Sequence, residues 1–275
     1  PKTPKPQNPK IIRFSDYYNK YNMSELEPRV TTFGTQLNAS ERKWMIFCIL
    51  QSNIVCATLY LNIVSFYPLY TDQNYGENIS TTMIALAMSA FNLSGLLCAP
   101  IHAMTISKMG RKNAIIFGIL LVLISNTCMG LISLLGKDDW KLFFGLSFFI
   151  RFVQGYGDSL TMTTNFSVIS SNFPDQKTEY FGYLEASAGF GLMIGPPIGS
   201  FMFGALGFAW SFYIFSIFIA IDLVFIVFML PNTLNQESRK EFMQQGELIP
   251  SFGGPEAINK SLINLNGNDS SRDSS

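Results

Sequence analysis

Six long apolar runs limit what this chain can fold into more than any other feature. They cover about Trp44–Tyr70, Thr82–Met104, Asn113–Leu135, Leu142–Ile169, Tyr180–Leu206 and Phe208–Leu230. A helix crosses the hydrocarbon core of a bilayer with about 20 apolar residues, and every run reaches that length. Charged residues make up only 14% of the 275 residues, against about 25% in soluble proteins, so a soluble bundle with six buried helices would lack polar surface. In lipid the backbone must satisfy its own hydrogen bonds, which leaves helices or a closed barrel. A barrel would read as short alternating strands. The expected fold is therefore an all-α membrane protein of six transmembrane helices. A polar tail precedes them at 1–43, the helical bundle spans 44–230, and a disordered tail rich in Asn, Ser, Gly and Gln follows at 231–275.

Charge placement orients the bundle. The tail to Lys43 carries eight basic and four acidic residues, and the loop between helices 2 and 3 holds Lys108, Arg111 and Lys112 with no acid. The loop between helices 1 and 2 holds Asp72 and Glu77 with no base. Positive charge marks the cytoplasmic side, so the N-terminus, the 2–3 loop and, after six spans, the C-terminal tail are expected there. The sequon Asn78-Ile79-Ser80 falls in the opposite loop, which agrees with that orientation. Net charge is zero and gives no electrostatic footprint for nucleic acid. The four cysteines, Cys48, Cys56, Cys98 and Cys128, all lie inside apolar runs and read as packing residues. The one histidine, His102, reads as interfacial. No metal cluster, cofactor loop or catalytic triad assembles from the sequence, which argues against an enzyme.

The run GYLEASAGFGLMIGPPIGS from Gly182 to Ser200 has small residues at Ser187, Gly191, Gly195 and Gly199, every fourth position. On a helix this spacing makes a groove that a second helix backbone can enter. Pro196 and Pro197 remove two backbone donors and are expected to bend the helix.

Four residues that carry a full charge at neutral pH fall within the runs: Arg151, Asp158, Glu185 and Asp222. Each costs roughly 2.5–3.5 kcal/mol at mid-bilayer on insertion scales, so each calls for a reason. Arg151, Gln154, Gly155 and Asp158 share one face of helix 4, as expected of a helix lining a water-filled cavity. The alternative is an ion pair that only holds the bundle together, but Arg151 and Asp158 are separated by about 10 Å of helical rise. Two readings of Glu185 stand, a proton carrier or a neutral hydrogen-bonded carboxyl. Asp222 reads as a structural acid packed against a neighbouring helix.

These residues resemble a known family. Gly182, Gly191, Gly195-Pro196 and Gly199 are spaced like the fifth-helix signature of major facilitator superfamily antiporters, with Ser200 where a further glycine is usual. Arg151, Gln154, Gly155 and Gly157 resemble its fourth-helix signature, and Gly110-Arg111-Lys112 the end of its 2–3 loop motif. Within that superfamily the fifth helix and the following FIVFMLPNT look most like the vesicular amine and polyamine transporter group. The resemblance implies one half of a twelve-helix fold with alternating access to a central site. It also implies Arg151 supporting proton transfer, and a missing second half or a second copy as partner. The start at Pro1 and the presence of six helices fit an incomplete chain.

Three departures qualify the resemblance. Ala103 and Ser107 replace a glycine and an aspartate of the loop motif, so the latch between halves is weakened or built differently. Helix 1 offers Gln51, Asn53, Asn62 and Ser65 where monoamine carriers place an aspartate, which leaves a cation to Asp158 or Glu185. The second half is absent. The leading expectation is proton-coupled antiport of a small organic solute, an amine or other organic cation. The alternatives are an uncoupled facilitator and a non-transporting six-helix subunit. A vesicle or vacuole membrane follows from the resemblance, with the plasma membrane as the alternative.

Overall fold

The computed structural model describes residues 39–235; the expected tails lie outside the described residues except at their inner ends, where 39–43 open the first helix and Asn232 and Asn235 are held by hydrogen bonds to the 2–3 loop instead of being disordered. Six α-helices make up the bundle: α1 (Ala39–Tyr75), α2 (Thr81–Met109), α3 (Arg111–Leu131), α4 (Trp140–Asn172), α5 (Lys177–Leu206) and α6 (Phe208–Met229). Each matches one apolar run. Five of them are long and apolar enough to cross a membrane by length and composition, and α4 is not among the five. The reason lies in its side chains. Arg151, Gln154, Thr161, Thr164, Asn165 and Asn172 lower its apolar content, yet all are buried inside the bundle. The surface shows the inverse, with Leu96, Phe201 and Phe228 more than 70% exposed, as expected where the solvent is lipid.

The turns are short and locally encoded. Ser80 caps α2 by accepting from the Met83 amide, which satisfies one of the orphan N–H groups of a helix start. Gly110 (φ +87°) and Gly207 (φ +81°) join α2 to α3 and α5 to α6 in a backbone conformation that suits glycine. α5 runs without interruption through Pro196 and Pro197, and α1 and α2 likewise contain Pro68 and Pro100.

Packing is pairwise. α5 lies along α1, α4 lies between α2 and α3, and α6 packs on α3 and α1. Exchanging helices 1–3 with helices 4–6 maps this pattern onto itself, as an inverted repeat would. An aliphatic core of Ile49, Ile115, Ile119, Val168 and Ile219 fills one end. An aromatic one fills the other, where Tyr70 and Phe208 stack at 3.8 Å and Phe66 meets Phe203 at 5.3 Å.

Because lipid is as apolar as leucine, close packing and interhelical hydrogen bonds hold such helices together. Asn126 on α3 donates from Nδ2 to the Phe212 carbonyl (2.8 Å) and to Ser216 Oγ (3.0 Å) on α6. Replacing Asn126 with Ala should destabilise the bundle by about 0.6–1.7 kcal/mol, read as a lower thermal midpoint in detergent. An unchanged midpoint would show that these bonds contribute nothing net.

The 2–3 loop motif is part of this packing. Arg111 and Lys112 are both buried. Arg111 Nε donates to Ser167 Oγ on α4 at 3.0 Å. Lys112 Nζ donates to the Val227 carbonyl at 2.9 Å and to Asn232 Oδ1 at 2.8 Å, a cation on the carbonyls at the end of α6. Asn113 and Asn235 bond reciprocally beside it, and a Cβ at Gly110 would lie 2.6 Å from Asn235 Oδ1.

Candidate functional site

Where α1, α2, α4 and α5 converge they leave a cavity of about 230 Å³. α1 presents Asn53, Cys56 and Tyr60 to it, three residues at helical spacing on one face. α2 contributes Phe91 and Asn92, and α4 contributes Asp158. The glycines let these helices come close enough to enclose the space. A Cβ at Gly191 would lie 2.6 Å from the Ile54 carbonyl oxygen, one at Gly195 2.7 Å from that of Thr58, and one at Gly199 2.5 Å from that of Asn62. Gly155 does the same for α4 against the Phe91 carbonyl of α2, and Gly157 for α4 against Gly118 of α3.

The polar valences define the chemistry. Asn53 uses Nδ2 twice on α5, toward the Leu184 carbonyl (2.7 Å) and Ser187 Oγ (2.8 Å). A carbonyl can only accept, so the amide orientation is fixed and Asn53 is left with its Oδ1, an acceptor. Asp158, half-buried beside the Cys56 thiol, adds a carboxylate. Tyr60 Oη accepts from Asn92 Nδ2 at 2.9 Å, and its ring lies 4.8 Å from that of Phe91. Acceptors and aromatic faces around one carboxylate suit a small organic cation.

The structure separates residues that share a face in the sequence. Of the helix-4 stripe only Asp158 lines the cavity. Arg151 is 1% exposed, donates from Nη1 to Gln154 Oε1 at 2.8 Å, and lies 4.7 Å from the Phe91 ring centroid. It makes no hydrogen bond to Asp158, and its Nε and Nη2 have no partner within the bundle. Arg151, Gln154 and Gly155 thus line the α2–α4 contact and not open water, a correction that follows from how closely Gly155 seats α4 on Phe91.

Four further residues sit differently from expectation. Glu185 is exposed on α5, so burial within this bundle is not what distinguishes it. Gly182 has nothing within 4 Å of where its Cβ would be, unlike the other glycines of its motif. His102 is 1% exposed instead of interfacial, because its side of α2 faces α4, where Nε2 lies 3.2 Å from Ser159 Oγ. Cys56 packs at the cavity and not merely in the core; all four cysteines are free thiols. Asp222 is 1% exposed on α6 and is not among the residues that line the cavity. Tyr60 and Asn92 were not singled out in the sequence: a lone tyrosine on one helix and a lone asparagine on another carry no spacing that joins them.

The Major Facilitator Superfamily model matches residues 49–265, more than half of the chain. The chain belongs to the Major Facilitator Superfamily. Membership makes it an integral, multi-pass membrane protein of a transporter family and not an enzyme, and its six helices one half of that fold. It is 22% identical over 193 residues to the human MFS-type transporter SLC18B1, which covers 70% of this chain and 41% of that protein. It is 26% identical over 197 residues to Multidrug resistance protein 2 of Bacillus subtilis strain 168, covering 71% of the chain and 46% of the relative. It is 27% identical over 160 residues to the vesicular acetylcholine transporter unc-17 of Caenorhabditis elegans, covering 57% and 28%. The chain therefore spans less than half the length of these curated relatives.

Proposed function

We propose that this superfamily chain is the N-terminal half of a proton-coupled antiporter for a small organic cation, working by alternating access. The observation that carries the reading is the cavity between α1, α2, α4 and α5, where Asp158 is the one acid among the described lining residues and Asn53, with its acceptor Oδ1, lines the same space. The carboxylate attracts the cation, and helix 1, which lacks an aspartate, supplies hydrogen bonding instead. The relative named for acetylcholine transport agrees with a cationic solute. Arg151, buried behind Phe91 with two unpartnered nitrogens, supports proton movement once the bundle rearranges. The N-terminus and the 2–3 loop face the cytoplasm, by their positive charge.

A second six-helix unit completes the site. α2 leaves Ala85, Ser89, Ala99 and Ala103 exposed, and α5 leaves Gly182, Ala186, Gly189 and Ser200 exposed. Small residues on two outward helix faces let further helices approach closely. Glu185 lies on that outward side of α5, where it would act at the seam between units. In proteoliposomes of the full-length protein, an imposed pH gradient should drive concentrative uptake of an amine. Glu185→Gln should abolish the response to the gradient while leaving downhill exchange. Uptake that ignores the gradient in the unaltered protein would favour a facilitator, and unchanged coupling in the variant would remove Glu185 from the mechanism.

A further inference from the structure

Among the described residues, Tyr60 and Asn92 are the one hydrogen-bonded side-chain pair that links α1 to α2 at the cavity, and elsewhere these two helices barely touch. Asn92 donates to Tyr60 Oη, so the phenol's acceptor side is engaged while its own O–H is not used by any protein group described at the cavity. The half-buried ring is held against Phe91 at 4.8 Å and a 35° tilt. A phenol fixed by both its ring and its oxygen points its hydrogen in a set direction. Its surroundings supply acceptors for the charged end of a solute, at Asp158 and Asn53, but few donors besides the second amide hydrogen of Asn92: Asn53 has spent both amide hydrogens on α5 and Thr161 its hydroxyl hydrogen on the Gly157 carbonyl.

We propose that Tyr60 is a specificity-determining residue whose hydroxyl selects organic cations carrying a hydrogen-bond acceptor, such as a hydroxyl, ether or carbonyl oxygen, on their carbon frame. This rests on the reading of the cavity as a cation site. Asn92 is a positioning residue that acts through Tyr60. A site with a placed hydrogen-bonding group discriminates against a solute lacking the partner, because the group is then left unpaired.

The test compares tyramine with phenethylamine, which differ by one hydroxyl, as transported solutes of the full-length protein. The unaltered protein should favour tyramine by about five- to tenfold in kcat/KM. Tyr60→Phe keeps the ring and its packing and should bring that ratio to about one, by lowering tyramine uptake more than phenethylamine uptake. Asn92→Ala should lower the ratio partway. A purely structural role would slow both amines equally and keep the ratio. A ratio that persists in Tyr60→Phe overturns the inference and leaves the cation reading standing. If the unaltered protein carries neither amine, the cation reading falls and this inference with it.

Discussion

Asp158→Asn should reduce kcat/KM for an organic cation by at least about 30-fold, mostly through KM, while the protein still folds and reaches the membrane. Asparagine is nearly isosteric with aspartate, so the cavity keeps its shape and loses its charge. Removing one partner of a desolvated charge pair costs about 2–5 kcal/mol, much of it from leaving the other charge unpaired, and a loss seen in KM reports ground-state binding. Asp222→Asn is the matched control. That acid is as deeply apolar in sequence but sits 1% exposed on α6, outside the cavity, and its amide should leave KM within about twofold. Cys56 offers a readout free of turnover, since it lines the same cavity. In a variant with Cys56 as its sole cysteine, a bound amine should slow labelling by a thiol reagent, and Asp158→Asn should erase that protection. Equal KM in the Asp158 variant would move the cation site elsewhere.

The comparison of Asp158 with Asp222 shows where sequence reasoning reaches and where it stops. The pattern of apolar runs marked the place of all six helices, five of them by the simple rule that lipid imposes and α4 despite its polar side chains. It also marked both acids as unusual. What it could not decide was which acid meets a cavity, because that depends on the neighbouring helix. The stripe Arg151, Gln154, Gly155 and Asp158 lies on one face by spacing alone, yet the upper part of that face is sealed by α2 at Phe91 and only Asp158 opens to space. Glu185 and the small residues of α5 posed the same problem from outside. A helix in a half-bundle has an inner face and a face awaiting a partner, and both select small residues. The polarity of α4 was readable, but its burial was not: Asn165 and Thr164 are fully enclosed, which no count of apolar residues reveals. The pairing of Tyr60 with Asn92 left no trace at all, being a contact across 32 positions made by two helices that otherwise diverge.

The inner and outer faces of α5 lead to the largest expected loss of stability. Gly195→Leu should destabilise the bundle by more than about 3 kcal/mol. Overpacking a core costs about 1–3 kcal/mol when side chains can yield, but here the first added carbon would lie 2.7 Å from the Thr58 carbonyl oxygen and 3.3 Å from the Asn62 amide nitrogen. Backbone inside a continuous helix cannot turn aside, so α1 and α5 must part along the contact that also holds Gly191 and Gly199. Gly189→Ala provides the contrast, since no atom lies within 4 Å of its absent Cβ and alanine favours the helix by about 1 kcal/mol. Thermal unfolding of the purified full-length protein should show a large drop for Gly195→Leu and none attributable to the α1–α5 contact for Gly189→Ala. Equal melting of the two would deny that α5 seats on α1 through its glycines. If Gly189→Ala instead leaves melting intact and slows transport, its effect belongs to the outward face, where helix motion against a second unit is set by how closely the backbones can pass.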